Sequence, residues 1–237
     1  YTDRAMALGD RDWAITGVSL RSPDVAEQLN PQDGLYTVTE RSAAGDATRL
    51  TGAVRDVLVA TQQGEAVIAA LAAPTTHIAS LTITEKGYCR GADGSLDLAQ
   101  AGPTSAYACF AAALRRRHDT GLPGLTLLSC DNLADNGRQL ERLLGEYLDR
   151  HDPALAGWFA RECACPSTLV DRIGPATTAA DRAALTARIG LDDAGAVFTE
   201  PFSQWVIEDR FVGPRPRLER VGAELVQDVR PYEAAKL

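Results

Sequence analysis

The sequence predicts an α/β fold built on a mostly parallel β-sheet, and two observations carry that expectation. Short, almost continuously apolar runs such as Leu125-Thr126-Leu127-Leu128-Ser129 have the composition of strands buried on both faces. Helical stretches of ten or more residues separate these runs, as parallel connections require.

The elements follow in order. A helix stops at Leu8-Gly9-Asp10, and Trp13 to Leu20 is a short apolar strand. Leu35 to Glu40 and Thr48 to Gly52 flank the turn-rich Ser42-Ala43-Ala44-Gly45-Asp46, the pattern of a hairpin. Gly64 to Ala73 reads as a helix, His77 to Thr84 as a buried strand and Ser105 to Arg117 as a helix. After the turn Gly121-Leu122-Pro123 come the buried strand Leu125 to Ser129 and the helix Asn136 to Asp149. A second region of mixed structure begins near Asp152, and the chain has no internal repeat or low-complexity tract.

At 237 residues and 25.3 kDa the chain is long enough for one substantial core. A net charge of -8 and a pI near 4.9 argue against a nucleic-acid partner, which would need cationic patches. The one basic run, Arg115-Arg116-Arg117, reads as a solvated helix C-terminus that complements the helix dipole. No apolar run approaches the ~20 residues that span a bilayer, and no signal peptide is visible, so no membrane partner is expected. The five cysteines include no C-x-x-C pair, and Cys163-Ala164-Cys165 is too closely spaced for a zinc site. Free thiols in a reducing cytoplasm, and no metal, are the expectation. His77, His118 and His151 match no catalytic pattern.

Both termini read as cuts within a longer chain. Tyr1 is not an initiator methionine. Val229 to Leu237 reads as the first turn of a helix, with Pro231 where a missing N–H is tolerated and Glu233 at the positive dipole end.

Parallel sheets bind ligands beyond the carboxyl ends of their strands. Here those ends are Leu20-Arg21-Ser22, Thr84-Glu85-Lys86 and Ser129-Cys130-Asp131-Asn132, all polar where a buried strand leaves the core. Asn132 falls where a ligand would lie, whereas Asp135 and Asn136 read as helix caps or turn ties. Asp171 suits either an ion pair with Arg172 or another base, or a place in a cleft.

Four segments stand out: Thr82-Ile83-Thr84-Glu85-Lys86-Gly87-Tyr88, Ser129 to Gly137, Pro166 to Pro175, and Glu200-Pro201-Phe202-Ser203-Gln204-Trp205-Val206-Ile207-Glu208-Asp209. In this order, followed by Arg215-Pro216, Gly222-Ala223 and Pro231-Tyr232-Glu233, they resemble the polyol-specific long-chain dehydrogenase family, of mannitol 2-dehydrogenase and fructuronate reductase type. The resemblance runs from Trp13 to Leu237.

It implies a Rossmann-like nucleotide-binding domain over residues 1–150, incomplete at its N-terminus because the first glycine-rich βα unit is lacking. Residues 151–237 would complete that domain and begin a helical substrate domain. The implied activity is NAD-dependent, zinc-independent oxidoreduction between a sugar alcohol or aldonate and its keto-sugar, by a monomer or weak homo-oligomer. Lys236 matches the catalytic lysine that opens a Lys-x-x-x-x-Asn-x-x-His motif, whose Asn and His would follow Leu237. Asn132 matches the strand-end asparagine that binds the reacting oxygen and borders the cofactor. Asp171 matches a substrate-cleft aspartate, and Glu233 a glutamate on a proton path to solvent. Arg21, Asp24, Thr84 and Glu85 fall at strand ends that face the cofactor.

The chain departs from the family pattern in three places. No glycine-rich phosphate loop occurs in residues 1–237. Cys165 replaces an aromatic residue before Pro166. The acid expected to bind the adenosine ribose is delayed in Arg21-Ser22-Pro23-Asp24, where Arg21 and Ser22 would also suit a 2′-phosphate, so NADP is the alternative cofactor. Gly17 to Pro23 is closer to the uronate-reductase side of the family than to the mannitol side. Were Leu237 the natural terminus, the alternative would be a non-catalytic nucleotide-binding or scaffold protein.

The implied chemistry suits these residue types. Oxidising a secondary alcohol removes a hydride, which the nicotinamide takes, and a proton, which the protein must manage. A lysine serves as base only when unprotonated, a form favoured by burial in a closed cleft. An asparagine amide can donate to the developing alkoxide without exchanging protons. Glu233 and Lys236, three residues apart, share one helix face.

Overall fold

The computed structural model describes residues 1–236. The centre of the molecule is the parallel pair β5 (Ile78–Leu81) and β6 (Thr126–Ser129), in register from Ile78↔Thr126 to Leu81↔Ser129. These are the two strands that the apolar runs predict, and their direction is as expected. Past β6, Leu127 N–H donates to the Ala164 carbonyl at 2.8 Å in an isolated bridge, and the Thr168 side-chain Oγ1 donates to the Ser129 carbonyl at 2.6 Å. That second contact brings in β7 (Thr168–Asp171), which pairs antiparallel with β9 (Gln204–Glu208), itself parallel to β10 (Glu224–Val226).

Helices α5 (Ala106–Asp119), α6 (Asn136–His151) and α7 (Pro153–Glu162) cover this part of the sheet. In α6, residues Leu140, Leu143, Leu144, Tyr147 and Leu148 are buried at three- and four-residue spacing, which places one apolar stripe on the core. The stripe packs with Tyr107, Leu114, Leu125, Leu127, Leu155 and Phe159 in the largest hydrophobic cluster.

The N-terminal part carries α1 (Thr2–Ala7), β1 (Ile15–Ser19), α2 (Asp24–Leu29), the hairpin β2 (Tyr36–Ser42) and β3 (Gly45–Thr51), then β4 (Val54–Val59) and α3 (Ala60–Ala72). The hairpin matches its sequence signal, turning from Ser42 to Gly45. β1 runs parallel to β4. After α8 (Ala179–Ile189), β8 (Val197–Thr199) returns to lie parallel to β2.

β1 and β5 are each paired on one edge only among the described residues. Their other edges line a common cavity of ≈ 740 Å³, with Ile15, Thr16 and Val18 on one side and Ile78, Ala79 and Leu81 on the other. The Trp13 and His77 rings meet edge to face, 5.9 Å apart, at the N-terminal ends of the two strands. Leu20 and Ile83, just past their carboxyl ends, pack on the same cluster. The two edges therefore run in the same direction.

Two expectations need correction. The strand predicted over His77 to Thr84 stops at Leu81, and Thr84 opens the short helix α4 (Thr84–Gly87) with a left-handed φ of 60°. The N–H groups of Ile83 and Thr84 bond to the Asp131 carboxylate, so they cannot extend the ladder. The basic run at the end of α5 is also not uniformly solvated. Arg116 is exposed and pairs with Glu65, and Arg115 pairs with Asp152 and Asp119, but Arg117 is fully buried. Its guanidinium donates to the carbonyls of Leu71, Ala73 and Pro123 at 3.3, 2.8 and 2.8 Å, satisfying the end of α3. Arg117→Met would keep the packing and orphan those carbonyls. We expect a loss of about 2 kcal/mol, offset in part because no charge is buried. A melting temperature lower by about 4–8 °C would register it; an unchanged midpoint would mean that water replaces the guanidinium.

Candidate active site

The last described helix, α9 (Arg230–Ala235), carries the site to the sheet. Pro231 lies in its first turn, as the sequence predicts. Val229 is fully buried against Leu169 and Val206, and Tyr232 packs on the same cluster. This anchor fixes α9 across the carboxyl end of β7, with Lys236 as its C-cap. The prediction that the chain stops within a helix concerns Leu237, which lies outside the described residues.

Lys236 Nζ donates to Asn132 Oδ1 at 3.2 Å and to the Val170 carbonyl at 2.9 Å, and stands 3.8 Å from Asp171 Oδ1. Three acceptors from β7 and the turn after β6 thus surround one ammonium. The Oδ1 contact leaves the Asn132 amide N–H pair directed elsewhere, and the residue is exposed. The base beside Asp171 is Lys236 rather than Arg172. Arg172 instead donates to Glu40 Oε1 at 2.9 Å and to the Glu200 carbonyl at 3.1 Å.

Glu233 Oε1 accepts the backbone N–H of Asp135 at 3.1 Å. Asp135 is the N-cap of α6 and is left-handed, with φ 49°, and its own side chain does not cap the helix. A carboxylate from α9 therefore sits at the positive end of a 16-residue helix. The neighbouring Asn136, fully buried, donates to the Asp131 and Thr168 carbonyls at 2.9 and 2.8 Å and accepts Thr168 N–H at 2.9 Å. Its role is to tie the β6 turn to β7.

The other cofactor candidates lie apart from this cluster, which holds Asn132. Arg21 and Asp24 follow β1, Thr84 and Glu85 follow β5, and all four are exposed. Arg21, Ile83 and Lys86 line the carboxyl-terminal mouth of the cavity between those strands. Burial pushes the Cys130 thiol, next to this region, up to about 12, so it is no nucleophile at neutral pH. No group of three or more His, Cys, Asp or Glu side chains among the described residues could hold a metal ion. Sequence reasoning gave no role to the Val170 carbonyl or to Asp131. An acid two residues past a buried strand was the available signal for Asp131, because such a side chain can take backbone N–H groups.

Parallel strands flanked by helices, with polar residues gathered at the strand ends, make this a Rossmann-type nucleotide-binding domain. Residues 4–220 match the model of the mannitol dehydrogenase Rossmann domain, and the chain belongs to the mannitol dehydrogenase family. It is 42% identical to a mannitol 2-dehydrogenase of Aspergillus terreus, over 100% of this chain and 51% of that protein. It is 40% identical to an uncharacterized oxidoreductase, YeiQ, of Escherichia coli, again over 100% of this chain and 51% of that protein. The chain thus spans about half the length of the curated relatives it matches. Among solved structures, the ternary complex of Pseudomonas fluorescens mannitol 2-dehydrogenase with NAD and D-mannitol superposes with a TM-score of 0.94 at 38% identity, covering 100% of this chain and 51% of that one. A substrate-free D-sorbitol dehydrogenase gives 0.92 at 37% identity, covering 99% of this chain and 53% of that one. No helix among the described residues is long and apolar enough to cross a membrane.

Proposed function

We propose that this chain is the nucleotide-binding part of an NAD-dependent polyol dehydrogenase, oxidising a secondary alcohol of a sugar alcohol to the ketone and reversing that reaction. The observation that carries it is the convergence of Lys236, Asn132 and Asp171 at the carboxyl ends of β6 and β7. Bound NAD supplies the hydride acceptor. Lys236 Nζ holds or receives the hydroxyl proton, and the Asn132 amide N–H donates to the oxygen as negative charge develops on it. Asp171 orients the ammonium or takes a substrate hydroxyl. Glu233 holds α9 on the start of α6 and so sets the reach of Lys236; from there it also stands on a route for the proton to solvent.

The residues present supply walls for a dinucleotide but not a cradle for its pyrophosphate. Arg21 lines the cavity mouth and Asp24, Thr84 and Glu85 follow the same strand ends, with NADP as the alternative cofactor through Arg21 and Ser22. The facing edges of β1 and β5 are complementary to one further parallel strand, which would deliver its following turn at that mouth. We assign the phosphate-binding turn to such a strand. Residues 151–237 then complete the domain and lead into a substrate domain. A monomer or weak homo-oligomer in the cytoplasm, with its five thiols free, accords with this reading.

The relatives favour a hexitol and its ketose as substrates, whereas Gly17 to Pro23 leans towards a uronate. The full-length protein assayed with mannitol, fructose, fructuronate, tagaturonate and arabinitol, each with NAD or NADH, decides between them. Turnover on fructose and mannitol is expected to lead. Fructuronate far ahead would shift the substrate to the aldonate side, and no dinucleotide-dependent turnover on any of the five would sink the proposal.

A further inference from the structure

The turn after β5 is held from outside itself. Ile83 and Thr84 leave the strand with their N–H groups outside any ladder, and Thr84 takes a left-handed φ of 60° that β-branched residues rarely adopt. The Asp131 carboxylate receives both donors: Oδ2 accepts Ile83 N–H at 3.1 Å and Oδ1 accepts Thr84 N–H at 2.9 Å. Oδ2 also accepts the Tyr88 hydroxyl at 3.2 Å. Tyr88 is buried and bonded to the Ser129 hydroxyl, and its carbonyl accepts the Tyr107 hydroxyl at 2.9 Å, so the third bond comes from a fixed group. Desolvation pushes the Tyr88 phenol up, which keeps it protonated and able to donate. On its other side the Asp131 carbonyl is fixed by Asn136 Nδ2 at 2.9 Å. One carboxylate therefore joins the ends of the two central parallel strands.

We propose that Asp131 is a positioning residue for dinucleotide binding: by holding the N–H groups of Ile83 and Thr84 it fixes the β5–α4 turn against the mouth of the cavity between β1 and β5. The inference rests on the dehydrogenase reading given above. Asp131 itself does not reach towards Lys236. Its bonds run to the turn that carries Thr84 and Glu85, so its loss should weaken cofactor binding and leave the chemical step largely intact.

The test uses the full-length enzyme and NADH. Asp131→Asn keeps the shape but turns an amide N–H towards one of the two backbone donors, so one charge-assisted bond is lost and another weakened. The Kd for NADH, from fluorescence titration, should rise about tenfold, while kcat with both substrates saturating stays within about threefold. Hydrogen exchange at the Ile83 and Thr84 amides should quicken, with Leu127 and Leu128 unchanged. Thr84→Gly added to Asp131→Asn removes the left-handed penalty and should recover part of the lost affinity. Should Asp131→Asn not fold, Tyr88→Phe removes the third bond together with the contact to the Ser129 hydroxyl, leaves both backbone donors on Asp131, and should raise Kd a few-fold. NADH affinity within twofold of the parent in the folded variants, or unchanged exchange at Ile83 and Thr84, would overturn the proposal. A parent enzyme that binds no NADH would instead refute the dehydrogenase reading, and the exchange measurement would still report on the latch.

Discussion

Replacing Lys236 by alanine in the full-length enzyme should lower kcat by several orders of magnitude and leave NADH affinity nearly unchanged. The ammonium meets Asn132, the Val170 carbonyl and Asp171, and of the cofactor candidates it touches only Asn132. A general acid–base group contributes ~10²–10⁴-fold. A lysine that also steadies the alkoxide can exceed that, as electrostatic stabilisation adds to proton transfer. Asn132→Ala removes one donor and should cost about 10²–10³-fold. The measurement is kcat at saturating substrate from pH 6 to 10. Near-parental turnover in Lys236→Ala at any of these pH values would remove the lysine from the mechanism.

A large effect on stability is expected at Gly137, the second residue of α6. A Cβ there would lie 2.5 Å from the carbonyl oxygens of Cys165 and Pro166, which are backbone atoms of the segment leading into β7 and cannot rotate aside. Gly137→Ala must push α6 off that segment and break the Asn136–Thr168 bonds beside it. Overpacking of this kind costs about 3 kcal/mol or more, or roughly 6–12 °C in melting temperature. Gly145, on the same helix, has open space where its Cβ would be. Gly145→Ala should be neutral or stabilise by up to ~1 kcal/mol through helix propensity. If the two alanine variants melted together, the close approach at Gly137 would not be a constraint.

The parts of the fold legible in the sequence are those with a continuous apolar run, an unbroken helical stripe or a clear turn signal. β6 is buried along its whole length, β5 keeps an apolar run although Ser80 is exposed, and the stripe of α6 repeats without a break. β4 gave no such signal, because Arg55 and Asp56 interrupt its apolar residues and its strand character comes from the pairing with β1. β8 and β10 have three residues each and are strands only through their partners. The site was legible in a different way. A lysine behind Glu-Ala-Ala carries no chemical signal of its own, and only the surrounding motifs single it out. Its environment depends on the Val170 carbonyl, a main-chain atom that no residue type announces. Asp131 stood in plain view within a quoted motif. Its role depends on two N–H groups left without ladder partners 47 and 48 residues earlier, which only coordinates reveal.

The parallel pairing of β2 with β8 joins Val38–Glu40 to Val197–Thr199, across most of the chain. On a ribosome, the hairpin would be made long before its second neighbour, leaving one edge of β2 bare while some 150 residues are still to be synthesised. A closure of such sequence separation comes late and slowly. Until then the open edge is a template for another nascent chain. Production that ends before β8 should therefore give aggregates rather than a smaller soluble domain, and slower synthesis at low temperature should favour the folded product.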